Sequence, residues 1–171
     1  MKLDSSENTI RLLDDKNNVV FSFELEKLYE LWIPGETEEY EYLHVTRSAT
    51  SPEYAIVVMT TASGQGGIVA VVDIASGEIV HYHEGAFALF AEIYKGYVVT
   101  IYGVQCWGTP YYNCVDVVKF GTKENTSGER LIKVDRKIEE IVAYEISNDV
   151  VRLKDNLGKT VTVRMADLIG E

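Results

Sequence analysis

Apolar and polar positions alternate along this chain in short bursts, and nowhere do they hold the three-to-four-residue spacing of a long amphipathic helix. The runs EYAIVVMTT (53–61), GIVAVVDI (67–74), EIVHYHE (78–84), FALFAEIY (87–94), YVVTIYGV (97–104) and NCVDVVKF (113–120) are rich in β-branched and aromatic residues. Such side chains fit a pleated surface, and Gly, Ser, Asn or Pro separates most of the runs, so each predicts a strand. About a dozen strands at roughly ten-residue spacing are expected, the rhythm of an antiparallel meander, sandwich, barrel or propeller. The predicted fold class is all-β: an antiparallel meander of short strands, built as a propeller-like assembly, a curved sheet or a sandwich, with at most one or two short helices. A parallel α/β sheet is disfavoured because no crossover helix separates the strands.

The patterns also separate interior from periphery. Residues 68–74 and 97–102 are largely apolar on both strand faces, which demands cover on both sides, whereas KTVTVR (159–164) alternates between Val and Thr or Arg and needs cover on one. Turns at ASGE (75–78), KG (95–96) and NLGK (156–159) place glycine where a tight reversal requires positive φ.

IRLLDDKNNVVFSFELEKL (10–28) and VRLKDNLGKTVTVRMADLI (151–169) share a strand, a polar turn, a second strand and an apolar-spaced end that suits one helical turn. Arg11 and Arg152 are offset by 141 positions and Phe21 and Val161 by 140, so one residue is expected to drop out in the turn. GGIVAVVDIASGEIVHY (66–82), an apolar strand, a turn from Asp73 to Gly77 and a second apolar strand, resembles the outer hairpin of a β-propeller blade. Blades of about 40–45 residues imply roughly four in a chain of this length.

A chain of 171 residues suits a single domain, 1–171, and buries roughly two-thirds of its unfolded surface without a staple. MKLDSSENTIRLLDD has no apolar run after its first lysine, so neither a secretory signal nor a membrane helix is expected there and the location reads as cytoplasmic. Net charge is −11, unevenly spread: residues 1–50 carry eleven acids against five bases, 51–120 six against two, and 121–171 ten against nine. A field of that sign repels nucleic-acid backbones and anionic membranes and draws in basic partners.

Three stretches hold candidate chemistry. QCWGTPYYNC (105–114) sets Trp107, Tyr111 and Tyr112 beside Gly108 and Pro110, which mark a turn; exposed rings there are interface anchors, and packed ones cap the end of a sheet. Cys106 and Cys114 suit facing positions on two paired strands, and in a reducing compartment they are two thiols. GETEEYEYLHV (35–45) gathers Glu36, Glu38, Glu39 and Glu41 with Tyr40 and Tyr42; as a strand it presents a negative stripe, either for a partner's lysines and arginines or to blunt a sheet edge. HYHE (81–84) points His81 and His83 to one strand face. That pair fills two positions of a zinc site and lacks a third, the competing reading being surface or hydrogen-bonded histidines at a strand end. NTS (125–127) fits a glycosylation acceptor but, with no secretion signal, marks a loop, and SGQGG (63–67) matches no phosphate-binding fingerprint.

No catalytic residue and no cofactor is assigned. The leading expectation is a non-enzymatic, acidic protein-binding module. In type, being small, acidic and motif-poor with tyrosines among glutamates, it resembles the bacterial immunity proteins that neutralise a basic partner such as a nuclease toxin. The likeness is one of type and carries no residues over; the acidic stripe and the aromatic loop themselves supply the expected partner surface, Glu36, Glu38, Glu39, Tyr40, Glu41, Tyr42, Trp107, Tyr111 and Tyr112. The alternatives are a propeller-like or sandwich scaffold that binds a small ligand, and a hydrolase dependent on a metal or a carboxylate pair.

Overall fold

The structure, a computed structural model, describes residues 2–6, 9–32, 43–61, 66–103, 114–124, 132–133, 138 and 140–169. Among the described residues, fourteen strands and two short helices make an all-β fold of four antiparallel sheets. Sheet 1 holds β1 (Lys2–Ser6), β2 (Thr9–Leu13) and β3 (Val19–Glu24), followed by α1 (Glu26–Trp32). Sheet 2 holds β4 (Leu43–Thr50), β5 (Tyr54–Thr61), β6 (Gly67–Asp73) and β7 (Ile79–Glu84). Sheet 3 holds β8 (Ala88–Tyr94), β9 (Tyr97–Tyr102), β10 (Cys114–Lys119) and β11 (Ile132–Lys133). Sheet 4 holds β12 (Ile141–Ser147), β13 (Val150–Asp155) and β14 (Thr160–Arg164), followed by α2 (Met165–Ile169). Each sheet is a meander in which sequence neighbours pair.

Strand alternation sorts the apolar side chains into three clusters, each between consecutive sheets. Ile10, Leu12, Phe21 and Phe23 of sheet 1 meet Val57, Met59, Ile68, Ala70 and Val72 of sheet 2, with Leu28 of α1 in the same cluster. The opposite face of sheet 2, with Ile56, Val58, Val69 and Val71, meets Ala88, Ala91, Val98 and Tyr102 of sheet 3. The other face of sheet 3, with Val99, Ile101, Val115 and Val117, meets Val151 and Leu153 of sheet 4 together with Met165 and Leu168 of α2. Thus β6, apolar on both faces, is buried from Gly67 to Val72, and β14 alternates between exposed and half-buried, as the patterns predict. The outward faces of the end sheets are polar: Arg11, Ser22 and Glu24 on one, and Arg152, Lys154, Thr160, Thr162 and Arg164 on the other, are exposed.

The end hairpins match in detail. In β2–β3 the Asp14 carboxylate accepts the Lys16 and Asn18 amides, each at 2.8 Å. In β13–β14 the Asp155 carboxylate accepts the amides two and four residues on, Leu157 at 3.0 Å and Lys159 at 2.7 Å. Asn17 (φ 63°) and Gly158 (φ 83°) occupy the same left-handed position. The turns therefore have equal length, and the one-residue offset lies elsewhere than expected. Leu12 pairs with Phe21 and Leu13 with Val19, so Val20 is an extra residue, a β-bulge in β3. The expectation of a residue dropped in the turn is corrected accordingly.

Candidate functional site

The register of β7 against β6 fixes where its histidines go. His81 pairs with Val71 and His83 with Val69. Cross-strand partners share a sheet face, and Val69 and Val71 belong to the cluster between sheets 2 and 3. Both imidazoles are consequently buried, His81 at 0% and His83 at 1% exposure, rather than at the surface. Thr100 and Asp116, cross-strand partners on β9 and β10, are buried at 0% and 1% on sheet 3.

A polar chain runs through this apolar interface. His81 Nε2 and His83 Nδ1 lie 2.9 Å apart, and His83 Nε2 lies 3.0 Å from Thr100 Oγ1. A neutral imidazole carries one N–H, so a single proton order satisfies both contacts: His81 donates to His83, and His83 donates to Thr100, or the whole sequence runs in reverse. His81 Nδ1 has no hydrogen-bond partner among the described residues. The His81 ring instead lies parallel to Phe120, with centroids 6.1 Å apart. Asp116 Oδ1 accepts the Val117 amide of its own strand at 2.8 Å.

Burial sets the charge state. Desolvation pushes His81 down to about 4. It pushes His83 down to about 3, with the neighbouring His81 adding to the shift. Both rings are neutral at pH 7. As the metal candidates of the sequence they face a geometric obstacle, because the nitrogens that would converge on an ion are spent on each other. No group of three or more His, Cys, Asp or Glu suited to a metal occurs among the described residues.

The edge of sheet 2 is closed at this point by the segment that follows β10 of sheet 3. The Tyr82 amide donates to the Thr122 carbonyl at 2.9 Å, the Glu124 amide donates to the Tyr82 carbonyl at 3.3 Å, and Tyr82 and Lys123 form a parallel bridge. The Tyr102 hydroxyl donates to the Glu84 carbonyl at 3.2 Å. Sheets 3 and 4 are joined at their hairpin tips, where Lys95 Nζ lies 2.6 Å from Asp149 Oδ1 and the Asp149 amide donates to the Tyr94 hydroxyl at 3.0 Å.

Charge divides along the same boundary. Residues 1–84, the span of sheets 1 and 2, hold fifteen acids and five bases, a net −10, whereas residues 85–171 hold twelve and eleven, a net −1. Asp4, Glu24, Glu26, Glu30, Glu53 and Glu78 of the first half are exposed. The ion pairs Lys95–Asp149, Arg152–Glu145 and Arg164–Asp167 lie in the second half.

Glu36, Glu38, Glu39, Tyr40, Glu41, Tyr42, Cys106, Trp107, Tyr111 and Tyr112 lie outside the described residues, as do residues 125–127; Cys114 begins β10. Thr100 and Asp116 escaped the sequence reading, although each is a lone polar residue inside an apolar strand, YVVTIY and CVDVVK. That was their visible signal. A polar side chain there is either buried with a partner or placed for chemistry.

No protein-family model matches the chain, and no curated protein matches it. Among solved structures it is similar to one titled "Crystal structure of the computationally designed Ika4 protein", at TM-score 0.50 and 14% identity, over 94% of this chain and 82% of that one. At that identity the likeness speaks to the fold alone. No helix among the described residues is long and apolar enough to cross a membrane.

Proposed function

We propose that this protein is a non-enzymatic binding module whose acidic half receives a basic protein, in the manner of an immunity protein that masks a cationic toxin such as a nuclease. The observation that carries the reading is the charge division: sheets 1 and 2 span a net −10 out of −11. A field concentrated on one half steers a cationic partner to that half and raises the encounter rate more than the final affinity. In this reading Glu36, Glu38, Glu39 and Glu41 speed association, while Tyr40, Tyr42, Trp107, Tyr111 and Tyr112 supply the anchors that slow dissociation.

The test is affinity capture from a cytosolic extract with the tagged chain at low and moderate salt, followed by kinetics on the recovered protein. A basic protein held near one-to-one, inhibited when bound, and associating more slowly with a chain in which the four glutamates are glutamines is the expected result. Association kinetics indifferent to both salt and the four substitutions overturns it.

A second reading, a propeller-like scaffold, draws on the meander order of the sheets and on β8 lying against β4 and β5, which brings the first strands of sheets 2 and 3 together. It expects small-ligand binding near those strands and no stoichiometric protein partner, so the same capture experiment separates the two.

A further inference from the structure

We propose that the His81–His83 pair is an acid-sensitive latch: neutral, it closes the interface between sheets 2 and 3, and on protonation it opens that interface and parts the acidic half of the protein from the near-neutral half. Both rings are wholly enclosed, hydrogen-bonded to each other and, through His83, to Thr100 on the opposing sheet. A third proton fits nowhere in this chain. With His81 donating to His83, the only free nitrogen is His81 Nδ1, which faces no acceptor among the described residues, and with the order reversed the added proton displaces a bond already made. Either way a charge is created among Val69, Val71 and Phe120.

The groups facing the pair offer one counter-charge. From β6 come Val69 and Val71, from β5 Ile56 and Val58, from β8 Ala88 and Ala91, and from β9 Val98, Thr100 and Tyr102. The Tyr102 hydroxyl is committed to the Glu84 carbonyl. From β10 comes Asp116, beside Thr100 and bonded to the Val117 amide. It is the sole charged side chain buried on that face among the described residues.

The sign follows from burial. An exposed histidine titrates near 6.5, and the folded pair titrates at about 4 and about 3. The closed interface therefore keeps its full stability above about pH 6.5 and loses it as pH falls toward 4, because the open form takes up protons that the closed form refuses. At pH 5, above the range where most carboxylates titrate, each histidine favours the open form about thirtyfold and the pair about a thousandfold relative to pH 8.

Hydrogen exchange on the unaltered chain at pH 7 and pH 5, corrected for intrinsic rates, reads this directly. The expected result is a gain of two to three orders of magnitude in exchange at β7 and β9, with β2 and β3 of sheet 1 rising far less. Uniform acceleration in all four sheets, or none, overturns the latch. Ring nitrogen NMR provides the second measurement, which needs no variant: His81 and His83 should stay neutral in the closed form through pH 5. Titration of either ring near or above 6.5 with the sheets still packed overturns the proposal and assigns the captured charge to Asp116.

Discussion

Replacing Thr100 by valine isolates the hydrogen bond that ties the histidine pair to sheet 3. The exchange keeps the side chain's shape, so no cavity opens, and valine suits a strand at least as well as threonine. What is lost is the 3.0 Å contact to His83 Nε2, at a site with no solvent to replace it. The bond itself contributes about 1 kcal/mol, and a buried nitrogen left without a partner costs about 1–3 kcal/mol. The added methyl returns part of that, so the net expectation is a loss of about 2 kcal/mol. The sign does not depend on the direction in which the proton runs, since either order strands a polar atom. In urea the midpoint should fall with the slope unchanged, and the melting temperature should drop by about 4–8 °C for a chain of this size. Serine at the same position keeps the hydroxyl and should recover most of the loss attributable to the bond. A valine variant as stable as the original, with serine no better, would refute the claim that this contact holds the two sheets together.

Alanine at Gly85 should destabilise the fold by about 1–3 kcal/mol in chemical denaturation, because its Cβ would stand 2.8 Å from the backbone of Ile68 and Val69; a neutral result would mean that β6 and the Gly85 turn can separate freely. Phenylalanine at Tyr144 removes the hydroxyl that donates to Glu92, whose carboxyl burial already holds above the ordinary range; losing that donor should raise it further, and carboxyl NMR showing a fall would contradict the assignment.

Much of the architecture was legible because strand alternation reports burial. A strand apolar on both faces must be interior, and Ile68 to Val72 are buried; a strand apolar on one must be peripheral, and β14 alternates between exposed and half-buried. Glycine at positions 77, 96 and 158 announced turns that do adopt positive φ. The histidines were placed on the correct common face, but their depth was missed. Depth follows only when β7 is known to pair with β6, since the burial of one strand's face is then inherited by its partner's. Register is a long-range property, and no window along the sequence contains it. Thr100 and Asp116 were hidden for the same reason, each meaningful only through a neighbour on another strand.

The bulge in β3 makes the likeness of the end hairpins testable. Side chains alternate strictly along a strand, so one residue gained or lost sends everything beyond it to the other face. In sheet 1 the surplus is Val20, half exposed at 50%, and it stands on the turn side of Phe21 and Phe23, which are buried at 8% and 2%. Sheet 4 builds its hairpin without a surplus, Lys154 pairing with Thr160 and Leu153 with Val161. Deleting Val20 should therefore convert β3 to the β14 pattern, with Val19 still opposite Leu13 and Phe21 opposite Leu12. A cost below about 1 kcal/mol is expected, the bulge being a local irregularity whose removal leaves the core face intact. Deleting Ser22 instead keeps the same length and composition class but turns Phe23 out of the cluster, and expelling a buried phenylalanine costs about 3–5 kcal/mol. Urea titration of the two deletions side by side decides the matter. If both unfold the chain equally, Val20 is not a surplus residue and the two hairpins are alike only in outline; if the Val20 deletion is tolerated and the Ser22 deletion is not, the turn anchored by Asp14 and the turn anchored by Asp155 set one and the same strand register.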